Sequence, residues 1–266
     1  MKVQVYKSLW GMEGSLESQL AYCSDSGYDG IECAIAEIAD RKQFRDLLES
    51  SHLLYIPLIY TEGASVDAHV SDLRRLVSIA LEMNPIKIVA HAGRDLWTID
   101  EQCRFFEAAF TIEQEVGIAI AHETHRRRPL YSPMNAAVLF EKFPELRINA
   151  DLSHWCCVTE SMLEDHAGVI QTAIERTIHI HSRVGYENGP QVSDPRINRW
   201  AAHLKIFEQW WKQMAEAQAE KNEIITVTPE YGPPTYMQTL PGTDEPVSDL
   251  NEICLWAAGR FRKLVA

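Results

Sequence analysis

Four stretches decide the fold: Ile118-Ala-Ile-Ala-His-Glu-Thr-His125, Arg147-Ile-Asn-Ala-Asp-Leu-Ser-His154, Thr177-Ile-His-Ile-His-Ser-Arg183 and Ile224-Ile-Thr-Val-Thr-Pro-Glu-Tyr231. Each begins as a short apolar run of buried-strand length and finishes on an acid or a histidine. Strand side chains alternate between faces, so Ala121 shares a face with Glu123, Asn149 with Asp151, His179 with His181, and Thr228 with Glu230. In a closed parallel barrel the C-terminal strand ends gather at one rim, where inward residues converge. The phasing therefore predicts that Glu123, Asp151, His181 and Glu230 meet. His179 lies on the same face as His181 but one layer deeper, and is the alternative fourth member.

Working outward, the same alternation of apolar run and amphipathic segment recurs along the whole chain. Val3 to Leu9, Gly30 to Ala36, Leu53 to Tyr60 and Ile86 to His91 read as the first four strands. Helices are expected from about Ser15 to Ser26, from Asp40 to about Ser51, after Asp67, after Asp100, and from Pro133 and Asn135 to Phe143. Further helices are expected over Met162 to Arg176, over Trp200 to Lys221 and after Asp249, with Gly27 and Gly117 as stops. The longest irregular stretch is Ser182 to Arg196, rich in Gly, Pro, Asn and Asp. Eight strand-then-helix units require a parallel sheet, either closed or doubly wound. Polar residues close most of the strands, including Lys7, Glu32 and His91, and neither G-x-G-x-x-G nor G-x-x-x-x-G-K-[ST] occurs, which favours a single (β/α)8 TIM barrel.

A chain of 266 residues is about the size of one such barrel, and no compositional break divides it, so residues 1–266 are expected to form one domain. The apolar fraction of 46% and charged fraction of 24% are those of a globular protein. The net charge of −13 opposes nucleic acid and anionic membrane surfaces, although a local basic pocket can still hold a small anion. The start carries no signal-peptide core and no later run is long enough to span a bilayer, so a cytoplasmic location is expected. The six cysteines have no framework spacing and read as reduced packing residues.

Three carboxylates and one imidazole form a hard donor set, suited to Mn²⁺, with Mg²⁺ or Co²⁺ as substitutes. A lone strand-end acid often serves as a helix cap or loop ion pair instead; four in phase make that explanation harder to sustain. His91 and His125 read either as substrate contacts or as structural histidines. Arg126-Arg127-Arg128 reads as a solvated run, with one arginine reaching a substrate oxygen or phosphate as the alternative. The Leu204, Phe207, Trp210, Trp211 and Met214 stripe is expected to pack on the barrel, and Trp210-Trp211 also offers a surface for a homo-oligomer.

Ala121-His-Glu-Thr-His-Arg126, Asp151-Leu-Ser-His154, His179-Ile-His-Ser-Arg183 and Thr228-Pro-Glu-Tyr-Gly-Pro233 resemble the strand-end motifs of the xylose-isomerase-like TIM-barrel superfamily, in its sugar phosphate isomerase/epimerase branch. The resemblance implies one divalent ion held by Glu123, Asp151, His181 and Glu230. It also implies a substrate-contacting histidine at His154 and, by a looser match, a substrate-contacting arginine at Arg183. The superfamily contains isomerases, epimerases, dehydratases, lyases and an endonuclease, so it bears on the scaffold more than on the reaction.

The expected activity is a metal-dependent isomerisation or epimerisation of a sugar or keto-sugar, by proton transfer through a metal-stabilised enediolate. Glu123 and Glu230 are the expected proton carriers, with His154 beside them. Arg183, His91, Trp10 and His125 are expected at the substrate, and Tyr60, Trp97, Trp155 and Tyr231 in an apolar wall. The alternatives are a metal-dependent lyase or dehydratase acting on a keto-glycoside or keto-acid, an apurinic-site endonuclease, and a non-catalytic sugar-binding barrel.

Overall fold

The computed structural model describes residues 1–266 and closes the eight apolar runs into a parallel barrel in sequence order. The strands are β1 (Val3–Ser8), β2 (Gly30–Ala34), β3 (Leu54–Tyr60), β4 (Ile88–His91), β5 (Ile120–Glu123), β6 (Ile148–Ala150), β7 (Thr177–His181) and β8 (Ile225–Thr228). Closure is made by β1 pairing with β8, Val3 opposite Ile225 and Val5 opposite Val227. Around it run α1 (Leu16–Asp25), α2 (Arg41–Ser51), α3 (Val66–Leu81), α4 (Ile99–Val116), α5 (Pro133–Lys142), α6 (Leu152–Thr159), α7 (Ala167–Arg176), α8 (Ala201–Glu220) and α9 (Leu250–Leu264). None of them is long and apolar enough to cross a membrane.

Helix starts differ from the expectation where an upstream hydroxyl competes with an acid. Ser65, not Asp67, caps α3, and Thr98, not Asp100, caps α4 through a reciprocal pair with Glu101. A cap must precede the first turn to reach the free N–H groups, and the hydroxyls stand there; the two acids fall inside the first turn, where they face the positive end of the helix dipole. The expected helix over Met162 to Arg176 is shorter, beginning with a 3₁₀ turn at Glu164–His166. Ahead of it stands the unexpected α6, which starts directly at Asp151 and uses that side chain as its cap.

The core has three parts, the smallest of them Tyr231, Met237, Ile253, Cys254 and Ala257 beneath the loop after β8. A cluster of 57 buried residues fills the layer between strands and helices, including the Phe207, Trp210, Trp211 and Met214 stripe of α8. Inside the barrel, Tyr6, Ile56, Leu58, Val89 and Ala121 form a separate small cluster with Ile178. Burying each large apolar side chain contributes about 1.5–3 kcal/mol, so the outer layer is the main source of stability. That surplus lets the upper barrel interior carry Glu32, Glu123, Asn149, His179, His181, Thr226 and Thr228, all at most 1% exposed. All six cysteines are free, four of them buried.

Candidate active site

The register aligns these polar side chains. Glu123 lies opposite Asn149, Asn149 opposite His179, and His179 opposite Thr226, with a register shift between Ile148 and Asn149. Glu123 and His181 end their strands, whereas Asp151 lies one residue beyond β6 and Glu230 two beyond β8. One ligand atom from each of the four lies within 4.8 Å of the other three, and all four residues are buried. The phased acids and histidine therefore do converge.

His181 and His179 part company here. His179 is fully engaged: its Nδ1 is 2.6 Å from Thr226 Oγ1 and its Nε2 is 3.1 Å from Glu32 Oε2. His181 Nε2 lies 2.7 Å from Glu32 Oε1, while its Nδ1 faces Glu230 Oε2 at 3.3 Å and Glu123 Oε2 at 3.5 Å without a hydrogen bond. A carboxylate only accepts, so Glu32 places the proton on Nε2 and turns Nδ1 towards two further carboxylates. Something positive must sit between these groups, either a proton on Nδ1 or a cation. Burial opposes protonation of His181, but Glu230, Glu32 and Glu123 more than offset it and hold its pKa well above the ordinary histidine value.

The carboxylates divide in the same way. Burial opposes ionisation of Glu123, yet His91 and His181 beside it hold its carboxyl well below the usual range. Burial pushes Asp151 up to about 6 despite Arg183, with Glu123 and Glu230 adding repulsion. Glu123 Oε1 makes no hydrogen bond, and Asn149 Nδ2 donates to Oε2 at 3.3 Å. An unpaired oxygen, an unpaired imidazole nitrogen and three clustered carboxylates fit a hard divalent cation, since desolvating each charge otherwise costs several kcal/mol.

Arg183 supplies part of the balance. It is 1% exposed, donates to Asp151 Oδ2 through Nη2, and pairs with Glu230 Oε2 through Nη1 at 3.2 Å. Its Nη2 also lies 3.0 Å from His154 Nε2, and its guanidinium covers the Tyr236 ring at 4.9 Å. Because a guanidinium has no acceptor, His154 Nε2 must accept, so its N–H is Nδ1, which has no partner. The His154 ring stands 4.0 Å from that of His125, and His125 4.9 Å from His91, whose Nε2 approaches Glu123 Oε2 at 2.5 Å.

Above this cluster opens a cavity of about 310 Å³, lined among others by Trp10, Tyr60, His91, His125, Arg183 and Glu230. Trp10, His91, His125 and Arg183 thus lie at one mouth, whereas His154 is fully buried behind His125 and Arg183 and does not line it. Trp10 lies against Gly232, where any Cβ would stand on the indole ring closer than van der Waals contact. Three expected wall aromatics are scaffold instead. Trp155 donates its indole N–H to Leu130 O at 2.8 Å, the Tyr231 hydroxyl accepts from Val184 N at 3.1 Å, and Trp97 packs on His69 and Phe105. A buried indole or phenol needs a polar partner, and these find theirs in loop backbone away from the cavity. Sequence reasoning missed Glu32 and Tyr236 as parts of the site. Glu32 stood out only as an acid within an apolar strand, with nothing local to point it at His179 and His181; Tyr236, in a loop, carried no signal at all.

No protein-family model matches the sequence, and no curated protein matches it. Among solved structures, the probable 3-DHS dehydratase AsbF of petrobactin synthesis from Bacillus anthracis aligns over 99% of both chains, with a TM-score of 0.62 at 13% identity. The 3-keto-D-glucoside 4-epimerase YcjR from E. coli aligns over 98% of this chain and 100% of its own, with a TM-score of 0.62 at 10% identity. An AP endonuclease of family 2 from Brucella melitensis aligns over 97% and 99%, with a TM-score of 0.61 at 15% identity. At these identities the likeness shows the fold alone, an eight-stranded α/β barrel, and the three neighbours' names already span three reaction types.

Proposed function

We propose that the chain is a divalent-metal-dependent isomerase or epimerase of a sugar or keto-sugar. The observation that carries this reading is the buried convergence of Glu123, Asp151, His181 and Glu230 within 4.8 Å, below a cavity of sugar size. When bound there, a divalent ion, manganese foremost with magnesium or cobalt as substitutes, supplies Lewis acidity to a carbonyl and its neighbouring hydroxyl.

The chain's own residues do the rest. Asp151 is held by Ser153 N at 3.0 Å and by Arg183, so it anchors rather than moves. Glu123 and Glu230 are the proton carriers: Glu123 through its unpaired Oε1, Glu230 through the oxygen that Arg183 and His181 leave free. One carboxylate takes the proton beside the carbonyl. The other, carrying a proton, returns it to the opposite face of the same carbon in an epimerisation or, once the hydroxyl proton has passed to the former carbonyl oxygen, to the adjacent carbon in an isomerisation. His91 orients Glu123, Arg183 holds substrate oxygens with His154 Nε2 accepting from it behind, and Trp10, Tyr60 and His125 exclude water from the mouth.

The test is a panel of keto-sugars incubated with Mn²⁺ and protein in deuterated water and followed by NMR. The reading expects products of unchanged mass apart from deuterium at the reacting carbon, lost in Glu123→Gln and in Glu230→Gln. Full turnover in either variant overturns it. A product lighter by a water or an alcohol would move the assignment to a dehydratase or lyase built on the same carboxylates.

A further inference from the structure

Beside the mouth lies a second cavity, of about 460 Å³, whose wall contains no apolar residue: Thr61, Glu62, Gly63, His69, Arg94, His125 and Arg126 to Arg128. It is built by the loops after β3, β4 and β5, the rim that carries the carboxylate cluster. Lys and Arg make up 25 of 266 residues, which would place about one in a wall of nine; four are present, all arginines, in a chain of net charge −13. Their partners are neutral where they have any. Arg128 Nη1 donates to the carbonyls of Gly93 at 3.0 Å and Thr61 at 3.3 Å, and Arg126 donates to the Tyr236 hydroxyl at 3.3 Å and to Cys157 Sγ. None of the four forms an ion pair, and the wall's one acid, Glu62, is exposed on the loop after β3. Arg128 feels this crowding: burial lowers its pKa, and Arg127 and Arg94 add to that against the pull of Tyr60 and Glu123.

Four guanidiniums without an acid between them make a multidentate oxyanion site, since each offers a planar fork of donors and none can discharge by losing a proton. The cavity is not isolated. His125 lines it and also lines the cavity over the carboxylates, one imidazole ring from His91 and His154.

We propose that this arginine cavity binds an oxyanion substituent of the substrate, a phosphate monoester or a carboxylate, while the reacting end lies at Glu123 and Glu230 in the adjoining cavity. The second half rests on the reading given under Proposed function; the first stands on the arginines alone. The substrate class is then a phosphorylated keto-sugar or a keto-sugar acid rather than a neutral sugar.

Calorimetric titration of inorganic phosphate, and separately of malonate, into metal-free protein tests it. Wild type is expected to bind one equivalent, and the Arg94→Gln/Arg127→Gln double variant to bind at least about tenfold more weakly, the loss of one charged hydrogen bond or more. Neither side chain makes a hydrogen bond or an ion pair within the protein, and circular dichroism checks that the variant stays folded. Asp151→Ala is expected to keep phosphate binding within about twofold. Tighter phosphate points to the ester, tighter malonate to the acid, and either supports the site. No binding of either anion, equal binding in the double variant, or loss of binding in Asp151→Ala overturns it. Arginine-dependent phosphate binding in a protein whose Glu123→Gln variant retains full turnover would support the oxyanion cavity and overturn only the chemistry assigned to the carboxylates.

Discussion

The two cavities at the barrel mouth share His125 and are otherwise opposites. One stands over four buried carboxylates, Glu32, Glu123, Asp151 and Glu230, with Arg183 as the only guanidinium inside; the other gathers four arginines around one exposed glutamate. The first is tied together: Glu32 fixes His181, Arg183 ties Asp151 to Glu230, and Asn149 holds Glu123. The second is slack, its cations resting on carbonyls, a hydroxyl and a thiol. What this contrast teaches is that net charge says little about a ligand. A chain of net charge −13 separates its charges locally, so one rim carries a cluster of buried carboxylates and, beside it, a cluster of arginines.

The sharpest way to break the contrast is to neutralise the tied side. Glu123→Gln keeps shape and burial but removes a proposed proton carrier, and kcat is expected to fall about 10²- to 10⁴-fold, read by deuterium incorporation into the keto-sugar. Loss confined to KM would mean that Glu123 only binds.

A buried cation remote from both cavities shows what burial does where the one nearby carboxylate, Glu223, does not offset it. Lys87 donates to Ile178 O at 2.7 Å, and burial lowers its pKa to about 8, whereas Arg183, buried to a similar degree beside Asp151 and Glu230, is raised despite burial. Between pH 8 and the ordinary lysine value of 10.5 the unfolded chain holds more protons at this site than the folded one, so this site's contribution to stability rises with pH. In urea titrations the wild type should gain on Lys87→Met by about 2–3 kcal/mol across that window. An equal pH slope in both proteins would show that Lys87 is not buried as an ammonium.

Glu32→Gln tests whether the tied side depends on the proton placed on His181. Without that carboxylate the Nδ1 lone pair is no longer presented to Glu123 and Glu230, and manganese affinity is expected to drop about 10- to 100-fold in a metal titration, with the fold retained. Unchanged affinity would make Glu32 a mere charge partner.

The smallest effect belongs to the residue that joins the regions. Tyr236 lies under Arg183 at 4.9 Å and accepts from Arg126 through its hydroxyl. Tyr236→Phe should weaken anion binding by less than about fivefold, and Tyr236→Leu should also lose a cation–π contact of about 0.5–2 kcal/mol, seen as a higher KM. Equal effects from the two variants would mean that the ring contributes nothing.

The barrel and the convergence of Glu123, Asp151, His181 and Glu230 were legible because both rest on periods of two along short strands. Helix α6 was not, since Asp151 was read as a ligand alone when it also caps the eight residues that follow. The Glu32 contacts to His179, His181 and Thr228 join residues 147 or more positions apart, and no local pattern encodes that. Likewise Trp97, Trp155 and Tyr231 look like Trp10 in sequence; only the backbone partners of Trp155 and Tyr231 and the rings packed on Trp97 separate scaffold from wall. Arg126 to Arg128 read as a solvated run because Arg94, which turns the run into a cavity, arrives from another loop.

The absent side chain at Gly232 has an evolutionary corollary. Trp10 rests where any Cβ on residue 232 would stand, so the two positions, 222 residues apart, are coupled through one volume. Among relatives of this chain, substitutions at 232 should appear only with a smaller residue at 10. The pair is then an inherited aperture, and a lineage could retune which molecules enter the mouth by changing these two codons while every carboxylate and arginine stayed as it is.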